Sequence, residues 1–289
     1  MANRISVNYK EKSKSTPAFV LKKTSLYVIA IFSSLVMLIP FIWLISSSLK
    51  PENTIFDFPI QWIPRDPVWT NYKNAFLEMN FFLYLFNTMK LTFFITLLQL
   101  VTCSMAAYAF SKIDFPERNA IFLAYLSTLM VPFQVIMIPQ FIIFKQLHLI
   151  DTHLAIILLQ SFSPFGVFLL RQFFMNIPNE LSEAARIDGL SEFNIYRKII
   201  MPLAKPGLAS LGIFTSISVW NDFLPPLIYL NSDSKKTIQL GLRGMISEFT
   251  SQYGIIMAVS VLSLIPIVII FLFAQKYFVE GIAMSGLKG

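Results

Sequence analysis

Six long apolar runs constrain this 289-residue chain more than any other feature of its sequence. A helix needs about 20 apolar residues to cross a hydrocarbon layer about 30 Å thick. The runs are 25–47, 84–110, 120–144, 154–174, 208–230 and 254–278, and the third is expected to break at Pro132 and Pro139. Only 13% of the residues are charged, well below the share of about a quarter that is usual in soluble domains. The sequence therefore predicts an all-α polytopic membrane protein with six transmembrane helices.

The first run, 25–47, has two interpretations. A secretory signal also combines basic residues with an apolar segment, but that segment is about 7–15 residues long and precedes a small-residue cleavage site. The run here is longer, and no such site follows it. We therefore expect an uncleaved first span after a polar N-terminal tail, residues 1–24.

Basic residues indicate which side of the membrane each loop faces. Six spans place both termini on one side, and that side would carry most of the 23 Lys and Arg residues. Because these residues favour cytoplasmic loops, both termini and the loop 176–206 are expected in the cytoplasm. The predicted organisation is a tail (1–24), a six-span domain (25–278) and a second tail (279–289), in the cell membrane.

A short polar segment, "LSEAARIDGLSEFNIYRKIIMP" (181–202), interrupts this apolar chain between runs four and five. Asn179 can cap a helix that follows it, and Gly189 can end that helix because glycine adopts positive φ at little steric cost. Ser191 can cap a second helix that stops before Pro202. We therefore predict a helix, a glycine turn and a second helix outside the bilayer.

Side chains in the first of these helices suit docking to another protein. Ala184 and Ala185 have almost no side chain, so a partner can approach the helix backbone closely. Glu183 offers a carboxylate to an Arg or Lys of that partner. A surface helix–turn–helix without a partner is the alternative. A DNA-binding function is disfavoured, because membrane spans tether both ends and the segment mixes acids with bases, so no nucleic acid partner is expected.

The segment resembles the "EAA" signature of permease subunits of binding-protein-dependent ABC importers. The signature covers Glu183, Ala184, Ala185, Asp188, Gly189, Ile199 and Pro202, with Met201 where the family usually has Leu. The resemblance implies a fold like that of type I importer permeases. It also implies that this loop is the coupling helix, which fits a cleft on an ATP-hydrolysing subunit.

Four further stretches resemble the carbohydrate-importing branch, and most closely the smaller six-span subunit of maltose-type systems. They are "WTNYKNAF" (69–76), "LLRQFFMNIPNELSEAARIDG" (169–189), "WNDFLPPLIYL" (220–230) and "QKYFVEGIAMSGLKG" (275–289). Pro225 stands where many relatives have Trp, so the pathway wall is expected to differ there. The resemblance implies that the tail 279–289 reaches between two ATPase subunits.

The resemblance also implies the partners of the chain. They are a second homologous permease, two ATP-binding cassette subunits and an extracytoplasmic solute-binding protein, beside the lipid bilayer. The sequence holds no G-x-x-x-x-G-K-[ST] phosphate loop, so ATP and Mg²⁺ are expected on the ATPase subunits. This chain is expected to bind no cofactor and not to be an enzyme. His148 and His153 are too few to predict a metal site.

Polar residues inside the apolar runs are candidates for lining a pathway. Trp220, Asn221 and Asp222 lie in run five, where a carboxylate is costly and faces protein or water. Gln134 lies in run three. Sugar hydroxyls need such groups, but Asp222 could instead pair with a Lys or a backbone amide near the outer end. Glutamine could instead bond between helices.

The implied function is half of an ATP-driven import pathway, with a di- or oligosaccharide as the expected solute. An alditol or glycerol phosphate remains open. The first alternative is an ion-coupled secondary transporter, which would need ionisable residues buried at mid-membrane, and Asp222 is the candidate. The others are an ABC permease for a non-sugar solute and a membrane scaffold or receptor.

Overall fold

The computed structural model describes residues 17–246 and 252–286, and within these ranges all regular structure is helical. The helices, numbered in chain order, are α1 (Pro17–Ser48), α2 (Thr70–Leu77), α3 (Phe81–Lys112), α4 (Arg118–Ser127), α5 (Phe133–Gln146), α6 (His153–Gln160), α7 (Pro164–Met175), α8 (Asn179–Ile187), α9 (Glu192–Leu203), α10 (Lys205–Trp220), α11 (Leu224–Tyr229), α12 (Ile238–Gly244) and α13 (Tyr253–Gly286). The predicted all-α fold is confirmed.

By length and composition, three helices of the described residues can cross a bilayer, and the count reaches six if each of three bent pairs is taken as one span. The helices α1, α3 and α13 each contain an apolar stretch long enough to cross a bilayer. The pairs α4/α5, α6/α7 and α9/α10 bend by 97°, 43° and 80°, and each pair is long and apolar enough when counted as one span. The six spans agree with the number of apolar runs.

Run three breaks sharply in the middle. Val131 is extended (φ −85°, ψ 111°), which is the conformation that a following proline favours. Pro132 then precedes α5, and the two halves bend by 97°. The predicted break at Pro132 is confirmed. The predicted break at Pro139 is wrong, because Pro139 lies inside the continuous helix α5.

Run five, 208–230, was predicted as one span, but it is divided between the end of α10 and the short helix α11. Helix α10 ends at Trp220, and Pro225 and Pro226 lie in the first turn of α11. Proline is tolerated there because the first N–H groups of a helix have no partner within it. The same residues could not continue α10, since they lack the N–H donors that its ladder requires.

The first and last helices extend beyond the apolar runs 25–47 and 254–278. Helix α1 begins at Pro17, before the expected start at residue 25, and α13 continues to Gly286 through most of the expected tail. Residues 1–16 and 287–289, which complete the two predicted tails, lie outside the described residues. The division into a domain and two tails stays a prediction.

Helix α3 lies at the centre of the bundle. It packs against α7 and α10, while α13 packs against α10 and α1. One buried cluster joins α3 and α7 to the polar insert, with Leu170 and Phe174 from the span and Ile195 and Ile200 from α9. The insert therefore rests on the same core as the spans.

The close approach of α10 to α7 depends on Gly207. A Cβ atom at this position would lie 2.6 Å from Cγ of Phe173. We expect Gly207→Ala to lower the free energy of unfolding by about 1–3 kcal/mol, because overpacking forces side chains from their rotamers. Gly212→Ala on the same helix is the control, since its Cβ would lie 3.9 Å from Cδ1 of Leu100. Equal thermal midpoints in detergent would contradict this packing.

Candidate functional site

The polar insert folds as two helices joined by a glycine turn, but its capping differs in part from that predicted. Pro178 is the N-cap of α8, and Oδ1 of Asn179 accepts a hydrogen bond from Nζ of Lys112 at 2.7 Å. Ser191 is the N-cap of α9, yet its Oγ accepts from Nδ2 of Asn194 at 3.0 Å. The predicted cap at Asn179 is therefore wrong, whereas Ser191 is the N-cap as predicted but makes no side-chain bond to the N–H groups of the helix.

Gly189 forms the turn between α8 and α9 with φ +81°, as predicted. A Cβ atom there would meet no described atom within 4 Å. Glycine is therefore favoured at this position by its backbone conformation and not by a lack of space. The predicted end of the second helix before Pro202 is wrong, since α9 continues to Leu203. The preceding residues 196–200 form a π-helical turn, which widens the backbone where a proline ring would clash with an α-helix.

Helix α8 buries one face and exposes the other. Ser182 and Ala185 are buried against the bundle, whereas Glu183 and Ala184 are exposed. Ile187 is 87% exposed, although it follows a buried position by only two residues. Of the two alanines, Ala184 faces outward and Ala185 packs within the chain. The exposed face therefore combines the carboxylate of Glu183, the backbone around Ala184, which a small side chain leaves accessible, and the large apolar side chain of Ile187.

The other signature residues lie around the turn and along α9. Asp188 is exposed, and its N–H donates to the carbonyl of Ala184 at 3.0 Å. Pro202 is exposed, and Ile199 is half-buried against the core cluster. These residues shape the insert and continue its outer surface.

An ion pair across the Gly189 turn holds the two helices together. Nε of Arg186 donates to Oε1 of Glu192 at 2.6 Å. The hydrogen bond from Arg186, together with one from Tyr108, lowers the pKa of Glu192, and the same carboxylate raises the pKa of Arg186. Both groups are charged at neutral pH, so the insert is one unit and not two independent helices.

The break after α10 carries three of the predicted pathway residues. Trp220 is 3% exposed, and its Nε1 donates to the carbonyl of Ser263 on α13 at 3.2 Å. Asn221 is exposed, and its side chain donates to the carbonyl of Ile217 on its own helix at 2.8 Å. The indole thus fixes α10 against α13, while the amide lies at the surface of the chain.

Asp222 connects spans four and five. Its Oδ2 accepts a hydrogen bond from Nε2 of Gln160 at 2.5 Å, so the partner is an amide side chain and not a lysine. Gln134, the fourth predicted pathway residue, is exposed on α5, a different helix from the other three. Asn221 and Gln134 therefore present amides at the surface, whereas Trp220 and Asp222 bond within the chain.

A polar network between the spans was not predicted. Gln99 donates to the carbonyl of Gln160 at 2.7 Å and accepts from Oγ1 of Thr215 at 2.8 Å. The hydroxyls of Thr96 and Ser216 lie 3.2 Å apart. These bonds join α3, α6 and α10. Their signal in the sequence is spacing, because Thr96 and Gln99 are three positions apart and so share one face of α3.

A cavity of about 620 Å³ lies between α3, α10 and α13, beside Trp220. Phe93, Leu97 and Pro266 are typical of its lining, and Thr92, Thr96 and Ser216 supply its hydroxyl groups. Sites that bind polar molecules need several placed hydrogen-bonding groups. This mainly apolar space is therefore a poor match for a sugar.

These features define the class of protein: a multi-span helical membrane protein with a helical insert between spans four and five. The chain belongs to the family of binding-protein-dependent transport system inner membrane components, whose model matches residues 100–284. The resemblance carried by the insert is thus confirmed. The protein is a permease subunit of a transport system and not an enzyme.

Named relatives cover nearly the whole chain. The arabinooligosaccharides transport system permease protein AraQ of Bacillus subtilis (strain 168) is 36% identical over 280 residues, which cover 96% of this chain and 99% of AraQ. The sn-glycerol-3-phosphate transport system permease protein UgpE of Yersinia enterocolitica is 34% identical over 268 residues, with 90% and 95% covered.

A solved structure shares the fold. It is the crystal structure of a bacterial ABC transporter involved in the import of the acidic polysaccharide alginate. One of its chains matches with a TM-score of 0.79 and 26% identity, over 91% of this chain and 98% of that chain. The match covers most of this chain and nearly all of that chain.

Proposed function

We propose that the protein forms half of the translocation pathway of an ATP-driven ABC importer for a di- or oligosaccharide. The exposed face of α8 carries this proposal, because Glu183, Ala184 and Ile187 form a surface suited to a separate protein. The names of AraQ and of the alginate transporter support an oligosaccharide as solute. The name of UgpE makes a glycerol phosphate the second candidate.

The partners in this proposal are those of an ABC importer in the cell membrane. A second homologous permease supplies the other half of the pathway, and an extracytoplasmic binding protein delivers the solute. Two ATP-binding cassette subunits carry ATP and Mg²⁺. The need for a further membrane subunit is supported by α1, because none of its most apolar window is buried within the chain.

The insert couples the ATPase subunits to the spans. Glu183, Ala184 and Asp188 face the ATPase, while Ala185 and Gly189 set the position and direction of α8. Closure of the ATPase subunits moves the insert, and the spans alternate between inward-open and outward-open arrangements. The C-terminal tail 279–289 reaches between the ATPase subunits.

The remaining signature residues, Ile199 and Pro202, lie in the C-terminal part of α9, which connects the insert to α10. Ile199 is half-buried on the core and Pro202 is exposed. In the pathway, the amides of Asn221 and Gln134 offer hydrogen bonds to sugar hydroxyls. Trp220 and Asp222 support the wall beside them.

Uptake into proteoliposomes tests this function. With all subunits present, we expect uptake of labelled arabinotriose to exceed that of ATP-free vesicles by at least about tenfold, because only nucleotide biases the two-state cycle. A protonophore should leave the rate unchanged. Uptake that persists without ATP and collapses with the protonophore would show an ion-coupled transporter instead. Maltotriose and sn-glycerol 3-phosphate, tested in the same vesicles, decide the class of solute.

A further inference from the structure

We propose that Tyr108 and Glu192 are positioning residues that fasten the insert to span two, so that movement of the insert is delivered to α3. This inference rests on the proposed function of the insert. The insert is joined through the backbone to α7 and α10, the helices of spans four and five. Span two is remote in sequence, and side chains make its connection.

The carboxylate of Glu192 is the centre of this connection. Its Oε2 accepts a hydrogen bond from Oη of Tyr108 at 2.6 Å, and its Oε1 accepts from Nε of Arg186 at 2.6 Å. Tyr108 lies on α3 and is 5% exposed. Hydrogen bonds to an ionised group are shorter and stronger than neutral ones. One carboxylate therefore ties together both helices of the insert and the cytoplasmic end of span two.

Residues one turn away on each side extend the connection along α3. The hydroxyls of Ser104 and Tyr196 lie 2.7 Å apart in a buried contact. Nζ of Lys112 donates to the carbonyl of Ile177 at 2.5 Å, and the Lys112 carbonyl accepts from Nη2 of Arg186 at 3.2 Å. Positions four apart share one face of a helix. We define the stripe as Ser104, Tyr108 and Lys112.

The stripe gives the insert three attachments to a helix at the centre of the bundle. Helix α3 packs against α7 and α10, so a displacement of α3 is shared with both. Without the attachment at Glu192, those at Ser104 and Lys112 would remain, and the start of α9 could shift against α3 so that less of its movement reached span two. The ATPase subunits would then complete their cycle with less movement of the pathway.

Conservative substitutions separate this role from folding. Tyr108→Phe removes the hydroxyl donor, whereas Glu192→Gln keeps an acceptor oxygen but removes the charge that strengthens the bonds from Tyr108 and Arg186, and both keep the shape of the side chain. We expect each to lower uptake per ATP hydrolysed by about fivefold, which is within the usual range of coupling free energies. The loss in the double variant should be smaller than the product of the two single losses, because both changes act on the bond between Tyr108 and Glu192. Asp114→Asn, which breaks only the exposed pair with Arg118, is the control.

A labelling experiment needs no knowledge of the solute. Phe82→Cys places a thiol at the outer end of α3, in a Cys103→Ser background that removes the only native cysteine. We expect its rate of reaction with a membrane-impermeant maleimide to differ between the ATP-free and vanadate-trapped transporter. In Glu192→Gln that difference should largely disappear while ATP hydrolysis continues.

The outcomes separate this inference from the proposed function. If wild-type vesicles take up a probe with ATP but Glu192→Gln keeps full coupling and the full labelling difference, only the connection to span two is refuted. If the transporter that retains Tyr108 and Glu192 shows no difference in labelling rate between the ATP-free and vanadate-trapped states, the connection to span two is refuted as well. Parallel loss of assembly, uptake and ATP hydrolysis in Tyr108→Phe, measured by co-purification, would show a purely structural role.

Discussion

Replacing Gly189 with valine is expected to lower ATP-driven uptake by more than about tenfold while the transporter still hydrolyses ATP. Gly189 has φ +81°, a left-handed conformation that costs a residue with a Cβ about 1–2 kcal/mol and a β-branched residue more. Valine would relieve this strain by leaving the left-handed conformation. The change in the backbone would rotate α8 relative to α9, and the exposed face of α8 would then point away from the ATPase subunit. Uptake and ATP hydrolysis are measured in the same vesicles.

Gly189→Asn is the matched control for that substitution. Asparagine enters the left-handed region more readily than other non-glycine residues, so its uptake is expected to stay within about threefold of the wild type. A Cβ at this position meets no described atom within 4 Å of it, so both side chains fit within the chain. Equal losses in the two variants would contradict a backbone requirement and indicate that the partner contacts residue 189 directly.

The spans could be predicted because crossing a bilayer demands a property that is local in sequence. An apolar run of sufficient length marks a span whatever its neighbours are. The path of each span could not be predicted in the same way. Pro132 breaks run three and Pro139 does not, although each lacks an N–H group, so the residue type alone did not decide where the helix ends.

Some features of the candidate site could likewise be predicted from local sequence, and others could not. The glycine turn was predicted because its φ depends on the residue type at one position. The cap predicted at Asn179 was wrong, because its side chain bonds to Lys112, which is 67 positions earlier. Which alanine of the pair faces outward depends on where α8 meets the bundle. The bond from Tyr108 to Glu192 spans 84 positions, and no local pattern reveals it.

Charge reversal at Glu183 is the second change for which we expect a large effect. Glu183 is exposed on α8 beside Ala184, and the proposed docking pairs its carboxylate with a cation of the ATPase subunit. Glu183→Lys would place like charges together, so we expect uptake and co-purification of the ATPase to fall by more than about tenfold. Glu183→Gln, which removes the charge and keeps the length, should give a smaller loss.

Glu117→Lys is the control, because Glu117 is also an exposed carboxylate and lies in the loop between α3 and α4, outside the insert. It changes the net charge of the chain by the same amount but leaves the surface of α8 unaltered. Because the surface of α8 is the same as in the wild type, we expect this variant to transport normally. Normal transport by Glu183→Lys would refute docking through this face. Equal losses in both variants would show that the overall charge of the cytoplasmic surface, and not a specific pair on α8, governs assembly with the ATPase.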